Sequence, residues 1–380
     1  MKPALSLYLD AVRFTAAMVV YLGHLALASE PSFVRPGFSA TFSGLSACID
    51  EAVIIFFVLS GFVIAHATAA RPTTPEAYAT ARLARLYSVA LPALLATLVL
   101  DMLGRAIAPA FYPPFAPQPF LGALLFLNQL WYIDAGAGSN GPYWSLNFEF
   151  WYYVLFGMIL FLRGWQRVAA VLATLLVCGP QIALYSLLWF AGVGLHGLTQ
   201  RLRLSQGLGL GLFLLGPVIF FLAVNHPVPG EAFMLDRLAW LLRDSNILHD
   251  SVIALAFGMH LLGCHSLAAW LEAPLSAIAR PLRWLAGSTF TIYLFHMPLS
   301  RFLAAVLPTP PGPWSGPLLL ALGFPLLLAI AAVTEWRKQP WVRLFTATFA
   351  PFHRLAQAAP VGGTNHLRPG QPPPGHAATG

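Results

Sequence analysis

The chain has few charged residues: only 9% of its 380 residues are Asp, Glu, Lys or Arg, whereas 58% are hydrophobic. A water-soluble domain has roughly a quarter of its residues charged, because its surface must face water. The shortage of charge therefore excludes a set of soluble domains and predicts an all-α polytopic membrane protein. The net charge of +7 does not indicate a nucleic-acid partner, because the basic residues lie in short loops between apolar segments.

Cysteine is also scarce, with only Cys48, Cys178 and Cys264 in the whole chain. All three lie in or beside apolar segments and are too scattered for a disulfide framework or a metal site. We interpret them as small packing residues, and we expect neither a metal nor a permanently bound cofactor.

The first apolar segment imitates a secretory signal peptide, with Lys2 before it and Ala-Leu-Ala at residues 26–28 after it. However, Asp10, Arg13 and His24 interrupt the segment, and more hydrophobic segments follow. We therefore predict an uncleaved first transmembrane helix.

Eleven apolar windows follow one another along the chain. They lie near residues 6–28, 46–68, 86–107, 120–133, 143–162, 167–179, 181–198, 207–224, 250–271, 285–306 and 317–336. A transmembrane helix needs about 20 residues, so the fourth window is clearly short. The arginine-rich segments near residues 71–85, 163–167, 201–203, 280–283 and 337–354 are expected on the cytoplasmic side.

This orientation is possible only if window 120–133 does not cross the membrane but forms a re-entrant or interfacial piece. We therefore predict a polytopic membrane helix bundle of about ten transmembrane helices with both termini cytoplasmic. Residues 1–345 form the membrane domain in this interpretation, and residues 346–380 form a cytoplasmic tail. From about Gln357 the tail is rich in Pro, Gly, Ala and His, which predicts disorder.

Ionisable residues inside the predicted helices suggest function, because charge within a bilayer is costly. In the first helix, Arg13 and His24 are eleven residues apart, which places them on one face with an axial rise of roughly 16 Å. Asp10 lies one turn before Arg13, within reach for pairing. The alternative is a snorkelling arginine and a hydrogen-bonded core histidine.

Arg82 and Arg85 lie one turn apart near the inner end of the third helix. Two interpretations stay open: ordinary flanking charge in contact with lipid head groups, or a fork for phosphate groups, which the planar guanidinium suits.

Glu149 follows about one turn into the fifth helix, where packing explains a lone carboxylate poorly. We interpret the aromatic residues 151–153 after it as an interfacial belt. Other polar residues are expected in the outer half of the bundle, namely Asp50, Glu51, His296 and Arg301. The pattern has two ends, with arginines inside and with histidines and carboxylates outside. This distribution suits a reaction in which an anionic donor molecule enters from the cytosol and meets an acceptor molecule from the other side of the membrane.

Five motifs, in this order, resemble the acyltransferase-3 family of integral membrane O-acyltransferases over roughly residues 5–345. They are Leu9-Asp10-Ala11-Val12-Arg13 with His24, then Phe56-Phe57-Val58-Leu59-Ser60-Gly61-Phe62, Arg82-Leu83-Ala84-Arg85, Trp144-Ser145-Leu146-Asn147-Phe148-Glu149 with Tyr152-Tyr153, and Ser288 with Tyr293-Leu294-Phe295-His296-Met297-Pro298. The chain departs from the family at Ile54, where many members have an acidic residue, at Ser88, where proline is common, and in the loose spacing of Glu335 and Pro340.

The resemblance implies an acyl-CoA donor, often acetyl-CoA, and a hydroxyl acceptor on a carbohydrate or glycolipid. It also implies a multi-pass protein of the bacterial cytoplasmic (inner) membrane. His24 is expected as general base with Glu149 as its partner or as an acceptor-binding group, and Arg13, Arg82 and Arg85 as ligands of the CoA phosphates. Supporting roles fall to Asp10, Ser145, Tyr293 and His296.

Two hypotheses of other classes compete with this one. In a transporter or flippase for a glycolipid or a small anion, the same charged residues would line the pathway. A non-enzymatic scaffold would leave the buried His24 and Glu149 unexplained.

Overall fold

The computed structural model describes residues 2–26, 44–109, 112, 116–228, 246–307 and 315–358. Among these residues the regular secondary structure is helical, apart from an isolated bridge between Ala137 and Asn140. The α-helices are α1 (Pro3–Ala26), α2 (Ile49–Ala70), α3 (Pro75–Ile107), α4 (Gln118–Leu124), α5 (Trp144–Phe161), α6 (Gly164–Cys178), α7 (Pro180–Arg201), α8 (Gln206–Asn225), α9 (Ile247–Ser266), α10 (Ala268–Ala277), α11 (Ala279–Ala286), α12 (Thr289–Val306), α13 (Ser315–Val333) and α14 (Gln339–Ala358). The predicted all-α helix bundle is confirmed.

Seven segments of the described residues are long and apolar enough to cross a membrane. Six of them correspond to α1, α2, α3, α7, α8 and α9, and the seventh runs over Gly316–Pro351. The other three predicted crossings correspond to α6, of 15 residues, and to α5 and α12, of 18 residues each. Helices α5 and α12 are less apolar because they carry buried polar residues such as Asn147 and His296.

The short window near 120–133 does not form a transmembrane helix, as its length predicts. Helix α4 has only seven residues, and Phe126, Trp131 and Tyr132 after it have φ values of 56°, 47° and 63°. Such conformations interrupt a helix. The backbone carbonyl of Phe126 accepts a hydrogen bond from the indole of Trp151 at 2.9 Å, so this non-helical backbone is satisfied by protein rather than by lipid.

Helix α5 begins inside the bundle rather than at its surface. Just before it, Asn140 Nδ2 donates to the Leu294 carbonyl at 2.9 Å and to Thr97 Oγ1 at 3.1 Å. Thr97 lies ten residues before the end of α3, which corresponds to about 15 Å of helix. The predicted interfacial belt is therefore wrong for Tyr152 and Tyr153, which are 0% and 4% exposed.

The tail boundary drawn at residue 346 falls within α14, which continues to Ala358. Residues 359–380, where disorder is predicted, lie outside the described part of the chain.

Helices α2 and α7 pack with their backbones close together. A Cβ on Gly61 would overlap the carbonyl oxygen of Trp189, and a Cβ on Gly192 would overlap that of Val58. Small residues at such crossings allow the close approach on which helix packing in membranes depends. This contact fixes the position of Ser60, which borders the candidate site.

We expect Gly192→Ala to destabilise the protein by about 1–3 kcal/mol, because the added methyl group overpacks the α2–α7 crossing. The matched control is Gly194→Ala on the same helix, where a Cβ meets no atom within 4 Å. Thermal unfolding of the detergent-solubilised variants measures the difference. Equal unfolding temperatures for the two variants would contradict this account of the packing.

Candidate active site

A pocket with about 780 Å³ of empty space, partly open to the outside, lies among α1, α2, α3, α5 and α12. Six of the predicted site residues line it: Arg13, Arg82, Arg85, Ser145, Glu149 and Tyr293. Most of the remaining lining is apolar and comes from the middle of α2. The pocket lies beside the third turn of α3 and the first turn of α12, and the basic loops predict the cytoplasmic side for the starts of both helices.

Aromatic rings hold two of the three arginines in place. The guanidinium carbon of Arg82 lies 5.9 Å from the ring centre of Tyr78 and 5.8 Å from that of Tyr153. The guanidinium carbon of Arg85 lies 5.9 Å from the ring centre of Phe290. A ring face attracts a cation without using its N–H donors, so these donors are available to an anion.

One of the arginines also has a carboxylate partner, and a second lies within electrostatic range of two carboxylates. Arg13 Nη1 donates to Asp10 Oδ1 at 3.3 Å, the predicted pairing of neighbouring turns. Arg85 lies within interaction range of the Tyr153 hydroxyl, Glu149 and Glu335. Asp10 and Glu335 are not among the described lining residues, so the groups that face the pocket are three arginines and one carboxylate, and the arginines present N–H donors to an anion there.

Glu149 lies among the arginines and not at the opposite end of the bundle. Its Oε1 accepts hydrogen bonds from Ser60 Oγ at 2.8 Å and from the hydroxyl of Tyr153. The predicted separation of arginines and carboxylates is therefore wrong for this residue, because α5 begins inside the bundle. The hydrogen bonds of Glu149 also give no support to its interpretation as the group that orients His24.

His24 instead pairs with His296, and the geometry assigns the ring protons. His296 Nδ1 lies 3.0 Å and 2.9 Å from the carbonyl oxygens of Ile292 and Tyr293, so it carries a proton and donates. In the neutral ring, Nε2 is then an acceptor, and it lies 3.2 Å from His24 Nδ1. His24 Nδ1, which is also 2.9 Å from the Val20 carbonyl oxygen, must therefore donate. This leaves the lone pair of His24 on Nε2.

The histidine pair lies outside the pocket lining and is linked to it by Tyr293. The ring centre of Tyr293 is 6.4 Å from that of His296, and its hydroxyl lies 2.7 Å from Ser145 Oγ. The structure thus groups the predicted residues in two sets. One set lines the pocket, with Asp10 held against Arg13 outside the lining, and the other set, His24 and His296, lies beside Tyr293.

Two residues of the site had no site role in the sequence interpretation. Tyr153 was assigned to the aromatic belt, although it follows Glu149 by four residues, a spacing that places both side chains on one helix face. Ser60 has no comparable local signal, because 89 residues separate it from Glu149.

The fold and the pocket define a multi-pass membrane protein with an arginine-lined pocket inside its helix bundle. The model of the acyltransferase-3 family, described as an acyltransferase domain, matches residues 6–336. The chain therefore belongs to this family, as its motifs predict, and is a membrane acyltransferase. No curated protein and no solved structure matches it. The family decides against the transporter and scaffold hypotheses.

We expect ¹⁵N NMR of histidine-labelled protein to show His24 with a proton on Nδ1 and none on Nε2, because both neighbours of Nδ1 are acceptors. The His24→Gln variant assigns the signals by their loss. His226, which is exposed, serves as the reference ring and should populate both tautomers. A His24 signal with its proton on Nε2 would overturn the assignment.

Proposed function

We propose that the protein transfers an acyl group, in the simplest case acetyl, from cytosolic acyl-CoA to a hydroxyl of a sugar or glycolipid acceptor. The observation that carries this proposal is the pocket in which Arg13, Arg82 and Arg85 meet an otherwise largely apolar lining. Acyl-CoA combines the same two features, a phosphate-rich end and a long uncharged arm. The proposed location is the bacterial cytoplasmic (inner) membrane.

The three arginines bind the CoA phosphates. Guanidinium groups recognise phosphate oxygens through paired N–H donors, and those of Arg82 and Arg85 are already held by aromatic rings. Asp10 orients Arg13 through its hydrogen bond. The pantetheine arm then extends along the apolar lining toward Tyr293, parallel to the roughly 16 Å that separates Arg13 from His24 on their helix.

His24 acts as the general base through Nε2. The acceptor oxygen attacks the thioester carbonyl carbon while Nε2 removes the hydroxyl proton. The carbon–sulfur bond then breaks, and the CoA sulfur leaves with the proton that His24 returns. An ester and free CoA are the products. The unperturbed imidazole pKa of about 6.5 suits a group that takes and returns a proton near neutral pH.

The other residues position these groups. His296 fixes the His24 tautomer through Nε2, and the hydrogen bond between Ser145 and Tyr293 supports the boundary between pocket and histidines. Glu149 holds Tyr153, which in turn contacts Arg85. Glu149 also borders the pocket, where it can accept a hydrogen bond from the acceptor.

We expect His24→Gln to lower acyl transfer by about 10²- to 10⁴-fold, because it removes the base. Binding of acyl-CoA should be unchanged. The measurement is the slow hydrolysis of radiolabelled acetyl-CoA by purified protein, in which water replaces the acceptor hydroxyl and acetate and CoA are released, together with equilibrium binding. His226→Gln, at an exposed position, is the control. A normal rate in a folded His24→Gln variant would disprove the mechanism.

Arg85→Ala should weaken acetyl-CoA binding roughly 10- to 100-fold, the effect of losing a charge-assisted hydrogen bond. Arg203→Ala, at an exposed position, should leave binding unchanged. Arg85→Lys keeps the charge but not the planar fork, so intermediate binding is expected. Isothermal titration in detergent measures all three, and equal affinities for Arg85→Ala and wild type would refute the donor site.

A further inference from the structure

A second cavity, partly open to solvent and with about 1110 Å³ of empty space, lies beyond the arginine pocket, toward the starts of α2, α7 and α9. It is bordered by the first residues of α2, α5 and α7, by the start of α9, and by the segment that follows α4. These are the helix ends that the basic loops predict to face away from the cytoplasm.

The second cavity contains hydrogen-bond acceptors that lack donors. Asp250 and Gln129 line it and are only 5% and 7% exposed. Asp250 Oδ2 accepts from the Tyr185 hydroxyl at 2.6 Å, and Gln129 Nε2 donates to Asp134 Oδ1 at 3.1 Å. No described residue donates a hydrogen bond to the remaining oxygens, Asp250 Oδ1 and Gln129 Oε1. Neither oxygen is among the fully buried atoms of the described residues, so both are accessible from the cavity, and this lining fits a ligand that donates hydrogen bonds.

The charge and the rings of the lining define the ligand further. Its described part contains three carboxyl groups, those of Asp50, Asp134 and Asp250, and no Lys, Arg or His. These groups are not arranged as a metal-binding set among the described residues. Tyr132 and Trp144 also line the cavity, and aromatic faces next to carboxylates attract organic ammonium groups.

The two cavities are separated by a thin layer of aromatic rings. Phe57 borders the arginine pocket, and its ring centre lies 6.3 Å from that of Trp144 and 6.2 Å from that of Phe148, which both border the second cavity. At another point, Gly23 of α1 packs against Ile49 of α2, the residue before Asp50. The rim of the second cavity is therefore close to His24.

We propose that the second cavity binds the acceptor, and that this acceptor is a hydroxylated compound with a protonated amine, such as an amino sugar, rather than an acidic glycan. The inference rests on the proposed function, in which a hydroxyl attacks the thioester. The carboxylates hold the ammonium group, which has no lone pair while protonated. The hydroxyl is therefore the nucleophile, and the product is an ester and not an amide.

The test compares three methyl glycosides that differ in charge: methyl 2-amino-2-deoxyglucoside, methyl glucoside and methyl glucuronoside. Binding to the full-length protein in lipid nanodiscs is measured by saturation-transfer NMR. The expected order of affinity is amine, neutral sugar, carboxylate, with about tenfold or more between the extremes. Equal or tighter binding of the glucuronoside, or no binding of any glycoside, would overturn the proposal.

The variants Asp250→Asn and Asp134→Asn should reduce the preference for the amine, whereas Glu272→Gln, at an exposed position of α10, should leave it unchanged. Asp134 is itself exposed, so its variant tests the proposal even if Asp250→Asn fails to fold. A preference that survives both Asp variants overturns the assignment.

Acetyl-CoA binding, measured on the same samples, separates this inference from the proposed function. Intact acetyl-CoA binding without the charge preference rejects only the acceptor site. Loss of acetyl-CoA binding in the wild type rejects the donor pocket instead.

Discussion

The placement of three guanidinium groups around an accessible pocket within an apolar helix bundle is the constraint on which the arrangement of this protein depends. An isolated cation there is costly, so each arginine needs partners from other helices. Asp10 pairs with Arg13, aromatic rings cover Arg82 and Arg85, and Tyr153 connects Arg85 to Glu149. These partners stabilise the cations, and the arginine N–H groups that line the pocket match a ligand with phosphate groups.

The irregular segment that contains α4 determines where the carboxylate lies. Because Asn140 bonds to Thr97 and Leu294 well below the end of α3, α5 starts inside the bundle. Glu149 is thereby brought to the level of the arginines, and Trp144, at the first position of α5, contributes to the ring layer between the two cavities. One irregular segment thus shapes both cavities, and a hydrogen bond from the Trp151 indole holds part of its non-helical backbone.

The fold was largely predictable from the sequence, and the site only in part. Hydropathy located the long helices, and the short length of window 120–133 excluded a transmembrane crossing there. Both features can be read from the local sequence alone. The pairing of Asp10 with Arg13 followed from helix periodicity. The depth of Glu149 in the bundle did not follow from helix periodicity, since it depends on contacts between Asn140 and two distant helices. The partnership of Ser60 with Glu149 and the convergence of Asp50, Gln129 and Asp250 also arise only from tertiary packing.

The central claim is that one molecule of acyl-CoA spans the arginine pocket and reaches the histidine pair. The most direct measurement is a cryo-electron microscopy structure of the protein with a non-hydrolysable thioether analogue of acetyl-CoA. We predict phosphate oxygens within hydrogen-bond distance of Arg13, Arg82 and Arg85, and the thioether beside His24 Nε2. Density for the analogue outside this pocket, or with its phosphates away from all three arginines, would contradict the account.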